Sequence, residues 1–317
     1  MKISAFGNLL FIANRPKTYY YYRMTEMEKY QRIYNQMVKA TEDYLNKFGL
    51  KTMVLGISGG LDSTVTASIC HEVSRRNPGI NFIGVSLPCS SNSESENNSA
   101  LACMKAFCDE CWVENLQKEY MLFKATCELH TPSTPISQGN IKARLRMIYL
   151  YNLASTRGGL VMDTDNLTEH YLGFFTIHGD VADFNPIGSL WKHEVYELAQ
   201  YLYDAEYTSE EDEQRRKALG AAIGIMPTDG NGVNDFGDMG QIAPAFVHDK
   251  NVDAYRKVDD VLLKYITAER QSLEECQEVV NNLYETYGKE TVDGIIKRYK
   301  GSEFKRKRLP IVPELKD

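Results

Sequence analysis

The sequence predicts an α/β fold, with a doubly wound, mostly parallel sheet covered by helices on both faces and a helical C-terminal part. Three observations carry this expectation. Short apolar runs alternate with helical periodicity between Met53 and Met162. The first run ends in a Gly-rich turn that opens a helix. After Trp191 the pattern is helical almost to the end. A sheet wound in this way offers ligands the carboxyl ends of its strands, where the chain turns into helices.

Taken in order, Met27, Tyr30, Ile33, Tyr34, Met37, Val38, Tyr44 and Leu45 recur at helical spacing and predict an amphipathic helix from Thr25 to Phe48. Met53–Ile57 is a compact apolar run, read as a buried strand, and Thr64–Arg75 resumes helical character. Ile80–Leu87 predicts a second strand, Ser95–Cys108 a second helix, and Cys111–Asn115 a weaker third strand. Ile141–Ser155 reads as a long helix and Gly158–Met162 as a further buried strand ending at Asp163. The stretch from Ile223 to Pro244 is rich in Gly, Asn and Asp. Its length and polarity suit a lid or substrate loop, with simple disorder as the alternative.

Residues 1–23 read as an appendage of unassigned role, with a short signal-peptide-like stretch and the Tyr19 to Tyr22 run. The ordered unit is expected at 24–317, with an α/β core at about 50–205 and a helical part at about 206–317. A chain of 317 residues, 43% hydrophobic and 25% charged, can bury a large core. A net charge of −7 argues against general nucleic-acid binding, so any anion site must be local. No apolar run is long enough for a membrane-spanning helix. The seven cysteines form no regular framework, which suits a reducing cytoplasm. Cys103, Cys108 and Cys111 lie close together without a second ligand pair and read as core or surface thiols rather than as a zinc site.

The chemistry starts at the end of the first strand, Gly56-Ile57, which runs into Ser58-Gly59-Gly60-Leu61-Asp62-Ser63-Thr64. Gly59 and Gly60 let the backbone turn sharply and aim successive N–H groups at one place, where the next helix also brings its positive end. The hydroxyls of Ser58, Ser63 and Thr64 add donors. Asp62 supplies a hard oxygen for a magnesium ion held against phosphates. The loop has no lysine and does not match the G-x-x-x-x-G-K-[ST] of kinases and GTPases. An acid without a γ-phosphate-gripping lysine suits release of pyrophosphate. An ordinary strand-to-helix turn is the plainer reading of so short a segment.

The S-G-G-x-D-S stretch resembles the pyrophosphate loop of the N-type ATP pyrophosphatases, and further motifs narrow the likeness. Gly139-Asn140-Ile141-Lys142-Ala143-Arg144-Leu145-Arg146-Met147 is similar to the G-N-x-x-A-R-x-R-M helix of NAD synthetases. Asp163 to Glu169, Gly173 to Asp183, and Asn185-Pro186-Ile187-Gly188 with Lys192 resemble that family's later segments, as do Pro227-Thr228 and Ser302 to Arg306. The resemblance spans roughly residues 25–310. It implies an adenine nucleotide alpha hydrolase-like, Rossmann-like fold and a cytoplasmic homodimer. It also implies a carbon–nitrogen ligase that amidates deamido-NAD to NAD with ammonia, ATP and magnesium through an adenylated nicotinate.

By position, the resemblance makes Asp62 and Glu169 the magnesium ligands. It puts Gly56, Ile57, Ser58, Gly59, Gly60, Leu61, Asp62, Ser63, Thr164, Lys192 and Thr228 at ATP, and Arg144, Asp183, Phe304 and Lys305 at deamido-NAD. Asp180 and Lys192 carry the chemistry, Asp180 by orienting the incoming ammonia or accepting its proton. On their own, Glu169 reads as a helix-start acid, Arg144 as a solvated face, and the basic run Lys297 to Arg308 as a solvated tail or weak nucleic-acid contact. Only about fifty residues precede the loop, too few for a glutaminase domain, so free ammonium is the expected nitrogen source. Three positions depart from the family pattern: Ile177 replaces a lysine, Asp163 replaces a glycine, and the Gly179–Asp183 segment is one residue shorter. The loop after Pro227-Thr228 also differs. The alternatives are another adenylating amidotransferase, a tRNA-modifying relative, or a non-catalytic nucleotide-binding protein.

Overall fold

The computed structural model describes residues 26–89, 92–225 and 251–307. The appendage 1–23, Thr228 and most of the polar loop from 226 onward lie outside the described residues. Four parallel strands form the sheet: β1 (Thr52–Gly56), β2 (Asn81–Ser86), β3 (Glu110–Val113) and β4 (Gly159–Met162), in the order β3-β2-β1-β4. β1 pairs with β2 from Thr52↔Asn81 and with β4 from Thr52↔Gly159. Beyond β4, Phe184 adds one parallel bridge to Met162.

Because successive side chains of a strand face opposite sides, the sheet divides its apolar residues between two cores. Met53, Leu55, Phe82, Leu160 and Met162 pack with the first three helices, α1 (Glu26–Phe48), α2 (Leu61–Arg76) and α3 (Glu94–Phe107). Val54, Ile83, Val85 and Val161 face α4 (Gln117–Cys127) and α5 (Pro135–Thr156) through Tyr120, Ile141, Met147 and Leu150. Both faces are dry, as continuous apolar strands require. The C-terminal part continues the first core through α6 (Leu167–Leu172), α7 (Lys192–Tyr201), a π-helical turn at Leu202–Glu206, and α8 (Glu213–Gly224). α9 (Asn251–Glu269), α10 (Leu273–Tyr287) and α11 (Lys289–Gly301) complete it, with a 3-10 turn at Glu303–Arg306.

The predicted elements are present, with three differences. α2 begins at Leu61, because Gly60 takes the N-cap position and the Gly-rich turn is shorter than expected. α5 begins at Pro135, six residues before the predicted start. The Thr134 side chain accepts the Ser137 N–H and Pro135 occupies the first turn, so the helix starts ahead of Gly139-Asn140 and includes both. α4 carries no predictive stripe. Only Tyr120 is buried, while Met121, Leu122 and Phe123 are exposed. Among the described residues no helix is long and apolar enough to cross a membrane.

Candidate active site

β1 ends beside β2 and β4, so the loops leaving these three strands open onto one cleft with about 930 Å³ of empty space. Its walls are Gly56, Ile57 and Ser58 after β1, Ser86 to Pro88 after β2, Ala143, Arg146 and Met147 on α5, and Thr164 and Asp180 beyond β4. Ser58 brings the start of the Ser58–Thr64 loop into this wall. Gly59 has φ +81°, and a Cβ there would fall 2.4 Å from the Ala100 nitrogen, so both the turn and the approach of α3 require glycine. Ser58 Oγ accepts from Gly60 N at 3.2 Å and lies 3.0 Å from Ser63 Oγ. Ser63 and Thr64 hydroxyls donate to the Gly60 carbonyl at 3.1 and 2.9 Å. Leu61 points into the apolar core, leaving its backbone to face the loop.

At the first turn of α2, Asp62 meets two residues from far along the chain. Its Oδ1 accepts from Asn166 Nδ2 at 2.9 Å, and its Oδ2 pairs with the ammonium of Lys192. Lys192 Nζ also reaches Glu169 Oε1 at 3.2 Å, and the lysine side chain is only 4% exposed. Asn166 and Glu169 cap α6 reciprocally: Asn166 Oδ1 accepts from Glu169 N at 3.0 Å, and Glu169 Oε2 from Asn166 N at 3.1 Å. Burial pushes the Glu169 carboxyl up to about 7, with Lys192 acting against the shift. Burial opposes the charge on Lys192, yet Asp62 and Glu169 outweigh it and hold the ammonium protonated.

Two carboxylates converging on one cation are a donor set that fits magnesium, which keeps most of its shell for water and phosphate oxygens. Among the described residues no cluster of three His, Cys, Asp or Glu forms a metal cage. The site thus fits an ion brought in with phosphates better than a resident one.

A second group of acids comes from the segment after β4, which carries Asp163, Asp165 and Asp180. Asp163, 4% exposed, accepts from Asp165 N at 2.8 Å, from Ala182 N at 2.7 Å and from Asn185 Nδ2 at 3.2 Å. It is the knot that ties the 163–165 and 182–185 backbones together, a role no glycine could fill. Asp180 Oδ1 accepts the Thr176 N–H at 2.5 Å, and burial raises its carboxyl to about 6. Arg144 donates to the Ile177 carbonyl from Nε at 3.3 Å and Nη2 at 3.2 Å, so it fastens the turn in which the lysine is missing.

Asp183 uses both oxygens within the chain, one for Val161 N at 2.9 Å and the other for Tyr151 Oη at 3.0 Å. The 3-10 turn packs against the same segment. Lys305 Nζ donates to the carbonyls of Gly173 at 2.7 Å and Phe175 at 2.5 Å, while Phe304 is 54% exposed. Gly173 caps α6 at φ +68°, and a Cβ there would strike Ser302 Cβ at 2.4 Å, which fixes how closely the tail approaches.

Of the expected positions, Gly56, Ile57, Ser58, Thr164 and Asp180 line the cleft, and Asp62, Glu169 and Lys192 gather at the start of α2. Arg144, Asp183, Phe304 and Lys305 make contacts of their own around the segment after β4. Four residues were not anticipated. Arg146, two positions past Arg144 and so on a different side of α5, donates to the Leu87 carbonyl at 3.0 Å and to Asn92 Oδ1 at 3.3 Å. Asn92, Glu96 and Asn97 join it in the lining. The signal that could have found them is the Ser93/Glu96 capping box, which fixes the start of α3 but not the direction those side chains take.

A family model described as NAD synthase matches residues 33–206. The NH(3)-dependent NAD(+) synthetase of Wolinella succinogenes is 31% identical over 278 residues, 87% of this chain and 93% of that protein. That of Fusobacterium nucleatum is 29% identical over 290 residues, 90% of this chain and 96% of its own length. Among solved structures, the NMN synthetase from Francisella tularensis aligns with a TM-score of 0.65 at 25% identity, over 92% of this chain and 100% of its own. The NH3-dependent NAD synthetase from Campylobacter jejuni aligns with a TM-score of 0.63 at 24% identity, over 90% and 99%, and supports the fold. With the loop, the cleft and the match in register along nearly the whole chain, the protein belongs to the NAD synthase family.

Proposed function

We propose that this chain is an ammonia-dependent NAD synthetase that converts deamido-NAD to NAD with ATP. The observation that carries the reading is the meeting of Asp62, Lys192 and Glu169 at the N-terminus of α2, where the loop after β1 runs on from the cleft wall at Ser58. A carboxylate resists amines at neutral pH because oxide is a poor leaving group. Attack of the nicotinate oxygen on the α-phosphorus of ATP expels pyrophosphate and leaves an acyl adenylate. Ammonia then attacks the acyl carbon, AMP leaves, and the nitrogen gives up one proton as it becomes the amide.

In this reading the backbone N–H groups and hydroxyls of the Ser58–Thr64 loop hold the departing pyrophosphate. Lys192 offers a point charge to phosphate oxygens. Asp62 and Glu169 would hold magnesium, which supplies charge neutralisation on the phosphates when bound. Asp180 lines the cleft with a carboxyl raised toward neutrality, suited to orienting ammonia or taking its proton. Arg144 and Lys305 fasten the segment before it and recognise the dinucleotide.

The same reading includes a cytoplasmic homodimer. Leu122, Leu129, Ile136 and Ile148 of the α4–α5 region are 66–75% exposed, apolar side chains of the kind a second copy would cover. Light scattering at twice the 36.1 kDa chain mass supports this, and a monomer at micromolar concentration refutes it.

The test is chromatography of products after incubation with ATP, magnesium, ammonium and deamido-NAD. NAD and AMP in equal amounts are expected, with glutamine unable to replace ammonium. A parallel arm replaces the dinucleotide with nicotinic acid mononucleotide, because one structural neighbour is an NMN synthetase. Preferential turnover of that arm moves the substrate to the mononucleotide. Neither NAD nor AMP above background in any arm overturns the reading.

A further inference from the structure

Thr168, His193 and Asp259 lie outside the phosphate loop and the cleft lining, and they meet where α6, α7 and α9 converge. α9 carries Tyr255 and Asp259 four residues apart, hence on one face, and that face looks at the N-terminus of α7. The Tyr255 ring centre lies 5.6 Å from Lys192 Nζ. Asp259 is only 1% exposed. Its Oδ1 accepts from Thr168 Oγ1 at 2.5 Å, and its Oδ2 accepts from His193 N at 3.1 Å and faces His193 Nδ1 at 2.7 Å. Thr168 Oγ1 in turn accepts the Lys192 backbone N–H at 2.8 Å.

Each residue in this chain of bonds is the sequence neighbour of a central one: Thr168 precedes Glu169, and His193 follows Lys192. One buried carboxylate therefore holds the two backbone segments that carry the opposite charges of the Lys192–Glu169 ion pair. A carboxylate so fully removed from water is costly unless its partners are fixed, and here they come from two different helices. A plain helix cap would need only the His193 N–H.

We propose that Asp259, with Thr168 and His193, forms a positioning network that keeps the Lys192 ammonium in register with Glu169 and Asp62. The helical C-terminal part is then a component of the catalytic centre and not only a cover for the sheet. The inference rests on the reading of that cluster as the place where ATP phosphates are held.

The experiment compares full-length Thr168→Val and Thr168→Ser with wild type, measuring NAD formation under varied ATP and deamido-NAD alongside thermal melts. Valine keeps the shape and removes the hydroxyl that links Asp259 to Lys192. Its kcat is expected to fall about tenfold or more, with KM for deamido-NAD within about twofold. Serine restores the hydroxyl and most of the rate. A kcat for Thr168→Val within about twofold of wild type per folded molecule overturns the proposal, as does a serine variant as impaired as the valine one. Should Thr168→Val not fold, His193→Gln takes its place, with a lower kcat expected and an unchanged one overturning the network. Wild type that makes no NAD would instead refute the functional reading, so the two failures are distinguishable.

Discussion

Two neighbouring groups of buried acids, both raised by burial, are held by different partners. At the phosphate loop, Asp62 and Glu169 share the ammonium of Lys192 at ion-pair distance. In the segment after β4, Asp163, Asp165 and Asp180 accept backbone N–H groups or lie among one another. Burial raises all three carboxyls, Asp180 to about 6 and Asp165 well above its ordinary range. The cation near them is Lys305, whose own charge is disfavoured first by burial and then by Arg298. One group is organised around a fixed positive charge, as phosphate handling requires. The other is organised around backbone N–H donors, and burial raises its carboxyls, Asp180 to about 6.

The most forceful way to break this contrast is Lys192→Met. It leaves Asp62 and Glu169 facing each other without a cation, so NAD formation should fall by at least about a hundredfold. Stability should drop by up to about 3 kcal/mol in urea unfolding. An active Lys192→Met variant would show that the two groups do not differ in the way described.

Gly59→Ala tests the loop's backbone. With φ +81° and the Ala100 nitrogen 2.4 Å from the new Cβ, α3 must move away, and a loss of about 2–4 kcal/mol is expected in the same assay. An alanine variant as stable as wild type would mean that the turn and the α3 approach are softer than the geometry indicates.

Asp180→Asn sharpens the contrast from the other side. The folded carboxyl titrates near 6, above its ordinary unfolded value, so its ionised form opposes folding. That penalty is full above about pH 6, shrinks as pH falls through 6, and vanishes below about pH 4, where both states are protonated. The asparagine variant should therefore be more stable by about 1–3 kcal/mol at pH 8. It should match wild type at pH 4, and it should lose activity. A stability gain independent of pH would refute the burial argument. Arg144→Ala, the mildest change, should raise KM for deamido-NAD about tenfold while leaving KM for ATP unchanged. A rise for ATP instead would place Arg144 beside ATP.

Much of this was legible residue by residue. The glycines of the loop, the acid after them and the alternation of apolar runs with helices are local patterns, and each has its predicted place in the fold. α4 was not legible because its apolar residues face outward and leave no stripe. Two long-range contacts were equally hidden. Arg144 reaches the Ile177 carbonyl from 33 positions away, and three donors from later in the chain converge on Asp163.

By itself the sequence determined the α/β alternation, the Gly-rich turn after β1 and the family, since periodicity, turn chemistry and motif spacing depend on residues within a few positions of one another. Tertiary structure alone decided that Asp62, Asn166, Glu169 and Lys192 form one cluster, although 104 and 130 positions separate Asp62 from Asn166 and Lys192. The physical reason is the strand order. β1 lies beside β4, so the loops leaving both strands emerge together, and the buried Asp259 then holds the helices that follow them in place.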